Sequence, residues 1–329
     1  MNKKRILTWL KPTSGQLHLG NYFGAIKPMI DLSLQDDISE VFLFLANLHG
    51  FTTVHDPKIL HQNSLNILKL YLASGANSNK FFIYNPADIP WHVQLSRVLT
   101  CLTNMWTMER MHAYKSVIAQ WKANEASVGL FCYPILMASD IILYDADIVP
   151  VGKDQKQHVE YARDIAGKFN RQFGETFILP EPHIQDTIAT IPGIDGRKMS
   201  KSYNNYIWLL DDEKTILKKV KQISTDTKAV EEPKNPDECN VYNIMKLFLN
   251  EEENKDMRAK YEKWGLSYKY AKEVLFEKLM KFLKPIQAKY AEITDQEIID
   301  LLAKNAKIAN EIAEKKIKDV YEKDGFLLW

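Results

Sequence analysis

Residues 6–21 read Ile-Leu-Thr-Trp-Leu-Lys-Pro-Thr-Ser-Gly-Gln-Leu-His-Leu-Gly-Asn. The run Ile6–Leu10 predicts a short buried strand. Pro12 stops it, and the amphipathic stretch Leu19–Leu34 behind it predicts a helix. The turn between them, Thr13–Asn21, therefore opens a helix at the end of a strand. Backbone N–H groups at a helix N-terminus face outward, and the helix dipole favours phosphate there. Gly20 has no Cβ to hold a nucleotide away from the backbone, and His18 is placed to hydrogen-bond a phosphate oxygen. An ordinary strand-to-helix turn with a serine cap shows the same local pattern, so this stretch alone leaves both readings open.

The alternation continues outward. Val41–Ala46, Phe81–Tyr84 and Val149–Val151 read as strands. Pro57–Ser74, Pro134–Tyr144 and Gln155–Phe173 read as helices. Strand–helix–strand repetition predicts parallel strands joined by right-handed crossovers, an α/β fold with a doubly wound parallel sheet. A Gly- and Pro-bearing connection, Ile191–Asn205, closes this part. After Asp211 the chain turns Lys/Glu-rich with helical spacing. Asp212–Ser224, Val241–Asn250, Tyr268–Tyr290 and Gln296–Tyr321 are its predicted helices, and Glu231–Asp237 is a loop. We place an α/β domain over residues 1–205 and a helical domain over 206–329, the last helix free to pack back on the first domain.

The chain has 329 residues, a length that fits two domains. Lys plus Arg number 43 against 42 Asp plus Glu, a balance that excludes a polybasic nucleic-acid arm. With 46% apolar residues it is no disordered chain. Three cysteines, none in a CxxC pair, argue against a disulfide framework and against a metal centre. No stretch reaches the length of a membrane span, and the apolar run behind Met1–Arg5 is too short for a secretory signal. The expectation is a cytoplasmic protein with no membrane partner.

Two further segments carry chemistry. Lys198-Met199-Ser200-Lys201-Ser202 sets two lysines three residues apart among serines, a cationic clamp able to neutralise a departing pyrophosphate. A random KxxK is a solvated turn, but the full string behind Gly196-Arg197 is far rarer. Then come Tyr133-Pro-Ile-Leu-Met137-Ala-Ser-Asp140-Ile-Ile-Leu-Tyr144 and Val149-Pro-Val151-Gly152-Lys-Asp154-Gln155-Lys-Gln-His158. Tyr133, Met137, Asp140 and Tyr144 share one helical face.

The His-Leu-Gly-Asn turn at 18–21 together with a late KMSKS loop resembles the class I aminoacyl-tRNA synthetases. The segments at 133–144 and 149–158 are similar to the bacterial tryptophan-specific family of that class. The resemblance covers nearly the whole chain, includes Glu109–Lys115, and weakens in the C-terminal third. It implies a Rossmann-like catalytic domain and a helical anticodon-binding domain. It implies ATP, which carries Mg²⁺ with it, no protein-held structural metal, L-tryptophan and tRNA(Trp) as substrates, and a homodimer. The catalytic residues it implies are His18, Asn21, Lys115, Lys198 and Lys201. ATP would also meet Lys11, Thr13, Ser14, Gly20, Ser200 and Ser202, with Gly152 and Asp154 at the ribose. Tyr133 and Gln155 match residues that hold the substrate α-amino group. Met137, Val149 and Val151 match pocket walls, and His49 a histidine beside the pocket. Asp140 suits an indole, which offers one N–H donor and no acceptor. A tyrosine-specific relative shares the motifs, but Asp140 with the DQKQH run argues against it. A binding-only paralogue would not need the intact KMSKS string.

Four positions depart from the family pattern. Trp9 stands where glycine is usual, which predicts a reshaped or filled adenine pocket just after the first strand. Lys11 replaces a frequent glutamine, within reach of the substrate carboxylate or α-phosphate. Val117 stands where some members carry a second phosphate-binding lysine, and Ser139 replaces alanine.

Overall fold

The computed structural model describes residues 3–51, 56–119, 127–184 and 191–327, with the backbone alone at 113 and 117–119. Strand β1 spans Lys4–Leu10 and β2 spans Ile38–Leu45. Successive residues point to opposite faces, so Ile6 packs on one side and Leu7 on the other, both fully buried. In β2, Val41, Leu43 and Leu45 share one face, and Phe42 and Phe44 the other. Near-continuous apolar runs are what a parallel sheet covered on both faces requires.

Strands β3 (Phe81–Tyr84), β4 (Ile148–Val151) and β5 (Glu181–Ile184) complete a parallel sheet of order β3-β2-β1-β4-β5. In the register, Ile6 lies opposite both Val41 and Ile148. The helical run after β1 (Leu19–Asn21, a wider π turn over Tyr22–Ile26, then Lys27–Ser33) covers one face with the Pro57–Ala73 helix. The helices Trp91–Leu102, Val128–Ile142 and Lys156–Phe173 cover the other. Chains leaving β1 and β4 thus turn to opposite faces. The crevice outside their carboxyl ends is the topological switch point, where open α/β sheets bind ligands.

Several elements differ from expectation. The helix expected to begin at Pro134 begins at Val128, where the Ser127 hydroxyl caps it by accepting from the Leu130 N–H at 3.1 Å. Pro134 sits inside, sacrificing one backbone bond. Strand β5 reads Glu-Pro-His-Ile, half exposed at a sheet edge, and shows no strand pattern in the sequence. The expected helix to Asn250 ends at Met245. Asn250 instead caps the unforeseen Glu251–Glu262 helix in a reciprocal box with Glu253. Trp9 lies within β1. Its ring packs beside Phe44 (centroids 6.0 Å), on the face that carries Met137, Val149 and Val151.

The helices Glu213–Gln222, Asn240–Met245 and Tyr268–Glu292 share a core with the face of Ile6 and Val41. Phe282 contacts the ring of Tyr22 at 5.0 Å. The last helix, Asp295–Asp324, runs along the β3 edge. Buried Asn305 donates to the Ile83 carbonyl at 3.0 Å, satisfying an acceptor that an edge strand otherwise leaves open. Ala309 and Ala313, both without exposed surface, allow that close approach. No helix of the described residues is long and apolar enough to cross a membrane.

Candidate active site

The turn after β1 is built around His18. Its side-chain Nδ1 accepts the Asn21 N–H at 3.2 Å, and the Asn21 side-chain oxygen accepts the His18 N–H at 3.2 Å. The cap is therefore this histidine and not a serine. The arrangement also fixes a tautomer: with Nδ1 an acceptor, the neutral ring carries its proton on Nε2. Burial, then the charge of Lys201, lowers the His18 pKa to about 4. The ring is thus a neutral donor at physiological pH. Lys11 and Thr13 are exposed, and the Ser14 hydroxyl accepts the Gln16 N–H at 3.3 Å.

The KMSKS loop lies against this turn. Leu17–Leu19 and Ile207–Leu209 run antiparallel, bonded from Leu19 N–H to the Ile207 carbonyl (3.0 Å) and from Leu209 N–H to the Leu17 carbonyl (2.9 Å). Met199, buried, accepts the Gly20 N–H on its sulfur at 3.3 Å, 179 residues away in sequence. A Cβ on Gly20 would sit 2.9 Å from the His18 Nδ1 and 3.4 Å from the Met199 Cβ. The glycine is required by its own neighbours, quite apart from any nucleotide. Lys198, Lys201 and Ser202 are exposed and Ser200 half-buried. Lys201 stands over the Trp208 ring at 5.3 Å.

Sequence reasoning missed what holds that loop. Asn205 is 1% exposed. Its oxygen accepts the Ser200 N–H at 2.8 Å, and its amide donates to Asp195 (2.6 Å) and to the Lys198 carbonyl (3.1 Å). That bond from Asn205, helped by Arg197, holds the Asp195 carboxyl below its ordinary range. A Cβ on Gly193 would lie 2.3 Å from the Asn205 side chain.

Across the crevice, at the carboxyl end of β4, Gly152 and Asp154 are exposed, and Gln155 donates to Asp154 at 2.8 Å. A Cβ on Gly152 would fall 2.7 Å from the Asp154 carboxylate. Lys115 is exposed on the His112–Ala119 helix. That helix is tied to the start of the Lys156–Phe173 helix by His112 N–H donating to Gln157 at 3.0 Å. No described contact joins the Lys115 side chain to residues 198–202. The Val117 side chain lies outside the described residues.

The face carrying Asp140 is closed by aromatic and histidine side chains. Met137, Val149 and Val151 are buried in one cluster. Tyr133 shares a hydrogen bond with His158 (2.8 Å) and sets its ring edge-on to His49. Burial lowers the His158 pKa, and its Nδ1 has no partner among the described residues. Asp140 is 1% exposed. It bonds His49 Nε2 at 2.8 Å and His92 Nδ1 at 2.6 Å. Burial pushes its pKa up, but the two histidine bonds outweigh that, and the net shift is down. His92 had no signal in the sequence beyond being a lone histidine on an amphipathic helix. Tyr144, expected on the pocket face, lies past the helix end and backs the site by bonding His92 Nε2 at 2.9 Å. Among the described residues no group of three or more His, Cys, Asp or Glu is placed to hold a metal ion.

A parallel sheet with a cationic loop docked on a helix-opening histidine turn defines a class of nucleotide-activating enzyme, and comparison identifies it. The family described as class I tRNA synthetases (W and Y) matches residues 2–284. Tryptophan–tRNA ligase of Campylobacter jejuni (strain RM1221) is 43% identical over 323 residues, covering 98% of this chain and 99% of the relative. The Rhodopirellula baltica ligase is 43% identical over 94% of this chain and 95% of its own length. The crystal structure of the C. jejuni tryptophanyl-tRNA synthetase complexed with ADP and tryptophan superposes with a TM-score of 0.89 at 42% identity, covering 98% and 99% of the two chains. The Mycoplasma pneumoniae enzyme gives 0.78 at 30%, covering 98% of each. The chain belongs to the tryptophan–tRNA ligase family of class I synthetases.

Proposed function

We infer that this protein activates L-tryptophan with ATP and transfers it to tRNA(Trp). The observation that carries the reading is the docking of the KMSKS loop on the His18 turn, through Met199 against Gly20 and with Lys201 close enough to lower the His18 pKa. ATP, carrying Mg²⁺, binds at Ser14–Asn21, with Lys11 and Thr13 at its edge and Gly152 and Asp154 at the ribose. Tryptophan sits with its indole between Met137, Val149 and Val151, its N–H on Asp140, and its α-amino group on Tyr133 and Gln155. His49 packs beside it. The tryptophan carboxylate attacks the α-phosphorus and pyrophosphate leaves. The nucleophile is already an anion, so no general base is needed. Catalysis is then positioning and electrostatics. Lys198, Lys201 and Lys115 stabilise phosphate charge, Ser200 and Ser202 add donors, and His18 and Asn21 orient the phosphates.

The terminal 2′-OH of tRNA(Trp) then attacks the adenylate, and residues 206–329 read the anticodon. Lys214, Lys218 and Lys221 are exposed there, while Lys219 is paired with Asp211 at 2.6 Å. We place the enzyme in the cytoplasm as a homodimer. ATP–pyrophosphate exchange with each of the twenty amino acids tests the reading. Exchange with tryptophan alone is expected; exchange with tyrosine, or with none, overturns it.

A further inference from the structure

We propose that His92 is a positioning residue for indole recognition, clamping the Asp140 carboxylate in one plane as an acceptor. The proposal rests on the reading that Asp140 receives the indole N–H. A carboxylate torsion is broad and roughly two-fold, so an unclamped Asp140 would present its lone pairs over a range of directions. Here each oxygen has its own partner from a different element. His92, on the Trp91–Leu102 helix, holds Oδ1 at 2.6 Å, and His49 holds Oδ2 at 2.8 Å. A carboxylate offers about four lone-pair sites, so a substrate N–H still finds one, in a direction set by the two imidazoles.

His92 is itself immobilised. It has no exposed surface. The ionised Asp140 carboxylate can only accept, so His92 Nδ1 donates to it, while Nε2 shares a hydrogen bond with Tyr144 Oη at 2.9 Å. The resulting bond to an ionised acceptor belongs to the strong class. The Tyr84 and Tyr144 rings flank it at 5.9 and 5.5 Å. Its backbone is pinned as well: the buried Ser139 hydroxyl donates to the His92 carbonyl at 2.7 Å. This bond ties the helix bearing His92 to the helix bearing Asp140. These contacts converge on His92 and, through it, on the Asp140 carboxylate.

The test compares tryptophan with 3-(benzothiophen-3-yl)alanine, which keeps the shape and replaces N–H by sulfur. The readout is the ratio of kcat/KM values in pyrophosphate exchange. His92→Leu is expected to cut that ratio by about tenfold or more, through KM, with kcat on saturating tryptophan within about threefold. His92→Asn, which keeps a donor near the Nδ1 position, should restore the ratio to within about threefold of wild type. Tyr144→Phe frees Nε2 and should cost the ratio about threefold; with His92→Asn it decides the matter if His92→Leu does not fold. A His92→Leu or Tyr144→Phe enzyme with lower thermal stability and lower kcat but an unchanged ratio overturns the proposal. So does a His92→Asn ratio as low as that of His92→Leu. Asp140→Ala separates the layers. If it collapses the ratio and the His92 and Tyr144 variants do not, only the clamp is wrong; if it leaves the ratio intact, the reading of Asp140 falls and the clamp with it.

Discussion

Asn205→Ala should uncouple the KMSKS loop while sparing tryptophan recognition. In the native protein the Asn205 side chain replaces solvent for three loop groups: the Ser200 N–H, the Lys198 carbonyl and the Asp195 carboxylate. Each neutral bond is worth about 1 kcal/mol net, and the charged one more. Asp195 is close to solvent and recovers much of its loss by hydration. A net loss of about 2 kcal/mol, or about 30-fold in loop order, follows. The backbone ties from Met199 N–H to the Ile191 carbonyl (2.9 Å) and from Gly193 N–H to the Arg197 carbonyl (2.7 Å) remain, so the loop loosens without unfolding. The assay is steady-state pyrophosphate exchange under saturating ATP. The expected result is kcat reduced about 10- to 30-fold with the tryptophan KM within about twofold. An unchanged kcat, or a KM that rises while kcat holds, would refute the view that Asn205 orders the catalytic lysines.

Lys198→Ala should lower exchange by about two orders of magnitude or more, as expected for removing charge from a leaving pyrophosphate. Equilibrium binding of tryptophan should change little, and equal exchange rates would remove that role. Asn305→Ala leaves the Ile83 carbonyl buried without its donor and should cost about 1–2 kcal/mol, a fall of a few degrees in Tm, with exchange at 25 °C unaltered. His18 in the folded chain titrates at about 4, below the ordinary histidine value of 6.5, so the unfolded chain binds the proton first. Its contribution to stability is present above about pH 6.5 and is lost as pH falls towards 4; the check is denaturant midpoints across that window, wild type against His18→Asn.

The central strands were legible because each lies in an apolar run bounded by breakers. Phe81–Tyr84 was placed to the residue. Strand β5 was not, because an edge strand reading Glu-Pro-His-Ile packs little and shows no apolar period. Pro134 misled the helix start, since a proline is equally at home at a first turn and, at a cost, inside a supported helix. At the site, residues in contiguous strings, His18 to Asn21 and Lys198 to Ser202, were readable as strings. The residues that hold them were not. Asn205, Gly193 and His92 act through contacts set by how separate segments pack, and nothing in their immediate sequence distinguishes them from ordinary loop or helix residues.

The His18 turn shows why motif and fold are hard to separate here. The same Nδ1 that caps the helix decides which nitrogen of the neutral ring carries the proton, and so which atom would meet a phosphate. The same Gly20 N–H that would greet an anion is meanwhile engaged by the Met199 sulfur, a weak acceptor. A phosphate oxygen is a far stronger acceptor than a thioether, so a nucleotide entering the turn competes with the contact that docks the KMSKS loop. The loop lysines, drawn to that same phosphate, supply a replacement attraction. On the proposed reading, nucleotide binding would exchange a soft contact through Met199 for charged contacts through Lys198 and Lys201. On that reading the loop's grip would be strongest when negative charge is greatest, as the α–β phosphate bond breaks. Near neutrality of the chain as a whole, 43 cations against 42 anions, is compatible with this, because the charge that matters is concentrated on one loop and held there by Asn205.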